Sequence, residues 1–264
     1  MCWTNFRLHM KFFLRFTLLG FFLQTSWQTL GQDSTLHFSG SIGLTTNGFS
    51  IIPTFSLNSP ATMLNLAWKK KKLSFEPDIR LVPNLSKGSL IWWLRYQAIQ
   101  KPKWGLRTGA HPAFSLIRRE DVTSGTSKEI TEMLRFLAFE VVPHYKISPH
   151  LEVSAMYLEG HGLQKHGPQT SRVVFLNTAM TSIPLNRSGL HFGLFPTFFY
   201  LNVDGNQGTY LSGTARISHK NSPFGFQGTI NQTLKSDIPN NQNFMWNITL
   251  TYHFNKKYIA STPN

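Results

Sequence analysis

From Thr35 onward the chain alternates. In "LSFEPDIRL", Leu73 to Leu81, the apolar or ring residues Leu73, Phe75, Pro77, Ile79 and Leu81 interleave with Ser74, Glu76, Asp78 and Arg80. Successive side chains of a strand go to opposite faces, so this pattern predicts a strand with one greasy and one charged side. The same period of two recurs in Phe49–Leu57, Met63–Trp68, Ser89–Gln97, Lys103–His111, Leu151–Glu159, Ser171–Met180, Gly189–Leu201, Thr209–His219, Pro223–Leu234 and Asn243–Phe254. The breaks carry turn residues, as in "KISP", "PLNR", "DGNQG", "KNSP" and "DIPNNQN". Short strands joined by Pro, Asn and Gly turns predict an all-β antiparallel fold. No shift of composition and no fixed-period repeat marks a second domain.

Thr126–Tyr145 fits two templates. As a helix it would align Ile130, Met133, Leu134, Leu137 and Val141; as a strand it would align Leu137, Phe139, Val141, Pro143 and Tyr145 against Glu140 and His144. Its neighbours on both sides are strands, which favours the strand. With Thr35–Leu44 the candidates number thirteen. A barrel with both ends on one side needs an even number. Demoting Thr35–Leu44 leaves twelve, within a range of ten to fourteen; keeping it and adding a strand over Ala113–Arg119 would make fourteen.

The beginning of the chain follows another logic. Met10–Arg15 is short and basic, Phe16–Trp27 is an apolar run of about a dozen, and Gly31 is a small residue at a cleavage position. We expect residues 1–31 to be a cleaved signal, with Met10 as an alternative start and an uncleaved helical anchor as the competing reading. The single cysteine, Cys2, lies in this region, so the exported chain would hold no disulfide. Beyond Gly31 no apolar run nears the roughly 20 residues of a helical span. An exported chain that enters a membrane must then do so as a closed barrel over 32–254, with 255–264 as a tail.

Composition sharpens this. Charged residues make up only 14% of the chain, against roughly a quarter in soluble domains. The alternation alone would also suit a secreted sandwich or a lipocalin. The greasy face, however, is aromatic, with Trp68, Trp92, Trp104, Phe192, Phe198, Phe226, Trp246 and Phe254, many near strand ends as in the girdles of membrane barrels. The net charge is +14. Apart from Lys69–Lys72 the positive residues are dispersed, which argues against nucleic acid. The lysine run reads as a solvated turn or as a contact for lipid phosphates.

The final candidate strand, "NFMWNITLTYHF", alternates Phe244, Trp246, Ile248, Leu250, Tyr252 and Phe254. It resembles the closing strand of Gram-negative outer-membrane β-barrel proteins, although here the chain continues to Asn264. "LSFEP" and "GAHPAF" are similar to elements of small porin-like barrels. The resemblance implies an outer-membrane location, contact with outer-membrane lipids and lipopolysaccharide, and delivery by the outer-membrane insertion machinery. It implies no cofactor.

The polar face gathers Glu76, Asp78, Arg80, Arg95, Lys103, Arg107, His111, Glu140, His144, Glu152 and Arg216. Enclosed charges are costly unless paired. These residues therefore predict either a paired network that fills a narrow barrel or a charged constriction in a wet pore, whose positive excess would favour anions. An outer-membrane hydrolase is the rival class, with His144 and Glu140, or Ser154 and His150, as candidate groups. A third class is a scaffold whose longest connections, Ile117–Glu129 and Gly160–Thr170, meet a partner protein. His161 and His166, without a third ligand, read as a solvated loop rather than a metal site.

Overall fold

A computed structural model describes residues 35–48, 56–123, 126–185 and 189–259. The expected signal segment lies outside the described residues. The chain divides into one unit of Met1–Leu36 with Tyr258–Asn264 and a second of His37–Lys257; the second carries the barrel. Its strands are β1 (Thr35–Thr45), β2 (Ala61–Lys70), β3 (Leu73–Leu81), β4 (Gly88–Gln100), β5 (Trp104–Thr123) and β6 (Thr126–Ser148), followed by β7 (Leu151–Gly162), β8 (Thr170–Pro184), β9 (Leu190–Val203), β10 (Asn206–His219), β11 (Phe224–Ser236) and β12 (Phe244–Ile259). Each strand neighbours the next, and β12 returns to β1, so the sheet is a closed up-and-down barrel of twelve strands. The start of β1, the end of β12 and the turns β2–β3, β4–β5, β6–β7, β8–β9 and β10–β11 share one rim, here the terminal rim. The other connections form the distal rim.

The expected strand number and the strand reading of Thr126–Tyr145 hold; the selection of strands does not. Thr35–Leu44, which the parity argument demoted, is β1 and pairs directly with β2, from His37 with Lys69 to Thr45 with Ala61. Of Phe49–Leu57, residues 49–55 lie outside the described residues, and Ser56 and Leu57 belong to no strand. Ala113–Arg119 is not a separate strand but the continuation of β5. Ile117–Glu129, expected as a loop, is the outer part of the β5–β6 hairpin, with rungs from Ile117 with Glu132 to Thr123 with Thr126. β4 stops pairing with β5 at Leu116, and β7 reaches β6 only as far as Phe136. A two-stranded ribbon therefore stands beyond the distal rim, joined by the Arg118–Glu129 and Arg119–Glu132 ion pairs.

One face of every strand is apolar and exposed on the outside: Leu94, Trp104, Phe198, Phe226, Trp246 and Ile248 are examples. Near the terminal rim this face becomes a continuous run of rings. Trp92 meets Phe75, Phe75 meets Trp68, Trp68 meets Phe38, Phe38 meets Phe254, Phe254 meets Tyr252, and Tyr252 meets Phe224, with centroids 5.0–6.5 Å apart. The run crosses the β1–β12 seam. Trp104 lies beside Tyr145 across the β5–β6 rung, and Phe192 beside Ile217.

Four prolines sit on this outer face, and each interrupts one ladder while keeping the other. Rungs are missing beside Pro77 toward β2, Pro112 toward β4, Pro143 toward β7 and Pro196 toward β8. On their opposite sides Pro77 is registered with Trp92, Pro112 with Leu137, Pro143 with Leu106 and Pro196 with Gly213. A proline has no N–H to donate, so it fits where a single edge can be left open.

The inner face has two textures. On β8–β10 it is apolar: Val173, Phe175, Phe199, Leu201, Val203 and Tyr210 form a buried cluster, which Ile238 of the β11–β12 connection joins. On β10–β12 and β1 it is a lattice of hydroxyls and amides. Thr214 meets Thr229 at 2.9 Å, and Asn247 donates to Thr249 at 3.1 Å. The seam is tied here, since the Asn247 carbonyl accepts from the hydroxyls of Thr45 and Thr46 and from the Asn47 N–H, while Thr46 N–H bonds the Ile248 carbonyl. Asn247→Ala strands the buried Thr45 hydroxyl, at about 1–3 kcal/mol for a buried group left unpaired. We expect a loss of about that size in urea unfolding followed by tryptophan fluorescence, with the refolded variant still a barrel.

Candidate functional site: the charged lumen

The charge cluster is built over a gap. Arg95 on β4, Gly109 on β5 and Glu140 on β6 occupy one row of the ladder. A side chain at Gly109 would meet Arg95 Cγ at 2.9 Å and Glu140 Cγ at 3.1 Å. Its absence lets Arg95 reach across β5, where its Nε donates to Glu140 Oε1 at 2.8 Å. Arg95 also holds Glu76 of β3, whose carboxylate accepts from Ser74 Oγ at 2.6 Å. Arg107 Nε reaches the same Glu140 oxygen at 3.2 Å. Glu140 is fully buried, Arg95 is 16% exposed and Arg107 37%. One enclosed carboxylate between two guanidinium groups satisfies the condition under which buried charge is tolerated.

Around this cluster the structure places the other polar-face residues of the sequence. Asp78 and Arg80 bond each other in a two-point pair at 2.9 and 2.8 Å. His111 is buried with its ring 4.0 Å from Trp93, and the Arg95 guanidinium lies 4.1 Å over the same Trp93. Lys103, His144 and Glu152 stand toward the terminal mouth. Arg216 is on the far wall; its Nη2 donates to Gln227 at 3.2 Å and its guanidinium lies 5.2 Å from the Phe195 ring. Among the described residues Arg216 makes no ion pair. A cavity of about 480 Å³ opens against β1–β4 and β12, lined by Ser39, Asn65, Glu76, Asp78, Arg95 and His253.

The hydrolase candidates are not assembled. Glu140 is taken by the two arginines, and His150 Nδ1 lies 3.0 Å from the Thr181 carbonyl oxygen in a terminal-rim turn. His144 and Ser154 share a rung of β6–β7 but no hydrogen bond joins them among the described residues. His161 contacts Glu159, and His166 contacts Glu132.

Sequence reasoning missed Trp93, the platform of the cluster, and the apolar inner wall of β8–β10. The signal for that wall was present: "VVFL" at Val173–Leu176 and "FFYL" at Phe198–Leu201 are apolar at every position, the mark of strands packed on both sides. It also missed the inward parity of Lys69 and Lys146.

Truncating the centre of the cluster and its edge should differ. Glu140→Ala leaves Arg95 and Arg107 facing each other, and we expect a loss of about 3–5 kcal/mol, as for breaking a buried pair. Arg107→Ala, at the wet edge, should cost about 1 kcal/mol or less. Urea unfolding of both variants in the same detergent checks the order.

No family model matches the chain, and no curated protein matches it. Among solved structures, the KdgM porin in complex with disordered oligogalacturonate superimposes with a TM-score of 0.50 at 8% identity, over 82% of this chain and 99% of that one. The KdgM porin alone gives 0.49 at 8% identity, over 82% and 99%. The COG4313 outer-membrane channel from Pseudomonas putida F1 gives 0.47 at 12% identity, over 84% and 96%. At 8% identity the first likeness is one of fold: this chain folds as an outer-membrane porin barrel does.

Proposed function

We propose that this protein is an outer-membrane barrel that passes small polar solutes, anions ahead of cations, through a partly filled lumen. The observation that carries the reading is the unfilled space of about 480 Å³ beside the ion-pair cluster, bounded on its polar side by Asp78, Arg95 and His253. The apolar β8–β10 wall narrows the passage, and Arg216 and the open edge of Arg107 supply its positive lining. The ring run near the terminal rim supports a bilayer seat, since tryptophan and tyrosine favour the water–lipid interface. In that seat the terminal rim faces the periplasm, and the outer face meets outer-membrane lipids and, toward the distal rim, lipopolysaccharide. The chain would arrive through the signal and the insertion machinery that reads its last strand. The cluster alone would equally suit a barrel that is only a scaffold; the cavity favours passage.

The membrane seat and the passage have separate tests. Ile248 lies between the ring run and Trp246 near the distal end of β12. Ile248→Arg should destabilise the barrel in lipid vesicles by about 2–4 kcal/mol, as expected for arginine near the bilayer midplane. In planar bilayers under a potassium chloride gradient, the wild type should give discrete channels whose reversal potential has the sign of chloride. Arg216→Glu should move that potential toward potassium. Heat-modifiable, folded protein that opens no channels would sink the passage reading.

A further inference from the structure

We infer that the terminal mouth holds a binding site for phosphate and phosphate esters, which specifies the solute class of the passage proposed above and rests on that reading for its biological use. The rims are unlike in charge. Glu120, Glu129, Glu132, Glu159, Asp204 and Asp237 lie toward the distal rim, where Glu129, Glu132 and Glu159 pair with arginines or histidines. Toward the terminal rim lie Lys69–Lys72, Lys101, Lys103, Lys146, Lys220, Lys256 and Lys257, and the one described carboxylate there is Glu152. A basic turn on a membrane protein is ordinary. This group is different because part of it converges inward.

A cavity of about 290 Å³ opens at this mouth, lined by Lys69, Lys101, Lys103, Arg107 and Lys146, with Glu152 as its only carboxylate. That volume is at the lower end of the roughly 300–1,000 Å³ range of small-molecule sites. The five cations come from separate places: β2, the β4–β5 turn, β5 and β6. Among the described residues none of the four lysines has a carboxylate partner, and Lys146 makes no ion pair even with Glu152, its rung neighbour. Arg107 spends its Nε on Glu140, which leaves its outer nitrogens toward the cavity.

On the neighbouring β3–β6 wall the inner charges are matched: Arg95 pairs with two carboxylates and Arg80 with Asp78. Here five cations face one space that has Glu152 as its single carboxylate, an arrangement that a multiply charged anion relieves and a monovalent one relieves less. Lysine ammonium groups suit phosphate as point charges, and the arginine fork adds a directed contact. A side chain at Gly105 would meet the His144 ring at 2.5 Å, so the imidazole takes that space on β5 at the cavity edge.

The test is calorimetric titration of the folded full-length barrel, in a neutral detergent, with pyrophosphate. Saturable binding is expected, and K69Q/K103Q/K146Q should weaken it at least about tenfold, a change of about 1.4 kcal/mol. K256Q/K257Q removes charge from the same rim outside the cavity and should leave affinity within about twofold. Equal loss in both variants, or no saturable binding, overturns the site. A short-chain phosphatidylglycerol that competes for the same lysines would support the phosphate chemistry with a lipid as its source; competition by inorganic phosphate but not by that lipid would support a soluble anion. The titration needs no conduction: binding without channels keeps the site and removes the passage, whereas channels without binding do the reverse.

Discussion

Everything in this structure depends on closing a backbone hydrogen-bond ladder around twelve strands. Hydrocarbon offers no water to an open N–H or carbonyl, so a sheet there has to meet itself. The seam where β12 meets β1 is held by side chains as well as backbone, Asn247 with Thr45 and Thr46, and the outer ring run passes across it through Phe38 and Phe254. The four prolines show how much irregularity this closure tolerates. Each opens one ladder locally, and each is held in register by the intact rungs of its other neighbour. None of these four interrupts both of its ladders.

Closure then decides how the inside is used. Twelve strands enclose more space than one layer of side chains fills evenly, and this chain divides that space. Aromatic and aliphatic residues of β8–β10 occupy one side and seat Ile238 from above. Hydroxyls and amides cover the seam side. The ion-pair cluster occupies β3–β6, at a depth where charge survives only through partners. Gly109 is what makes the cluster one object rather than two: without a side chain in that row, charges two strands apart can touch. Where the cluster ends, toward the terminal mouth, pairing ends too, and the positive excess of the chain is left facing water.

The alternation along the chain already carried most of this architecture. "LSFEPDIRL" reads as a two-faced strand from its residues alone, and its greasy side does lie outside, with Phe75 between Trp68 and Trp92. The strand number was legible from periodicity and parity, but which segments count was not. Thr35–Leu44 is dominated by small and hydroxyl residues, so its pattern is faint, and yet it is β1 and pairs with β2. Period two reports a two-faced extended segment; it does not report a partner. The β5–β6 ribbon was hidden for a related reason. Its outer part carries Arg118, Arg119, Glu120, Glu129 and Glu132 among few apolar residues, and a ladder without a strong greasy face looks like a loop in sequence.

By itself, then, the sequence determined the all-β class and the two-faced strands with their aromatic outer side, since each follows from local period and composition. Only the tertiary structure decided which inner charges meet. Arg95 and Glu140 are far apart along the chain and come together through the register of three strands and the missing side chain at Gly109. The same holds for Lys69, Lys103 and Lys146, whose convergence depends on where the strands end at one rim. Register and stagger are properties of strand pairs, set by closure of the whole barrel, and no single stretch of the chain contains them.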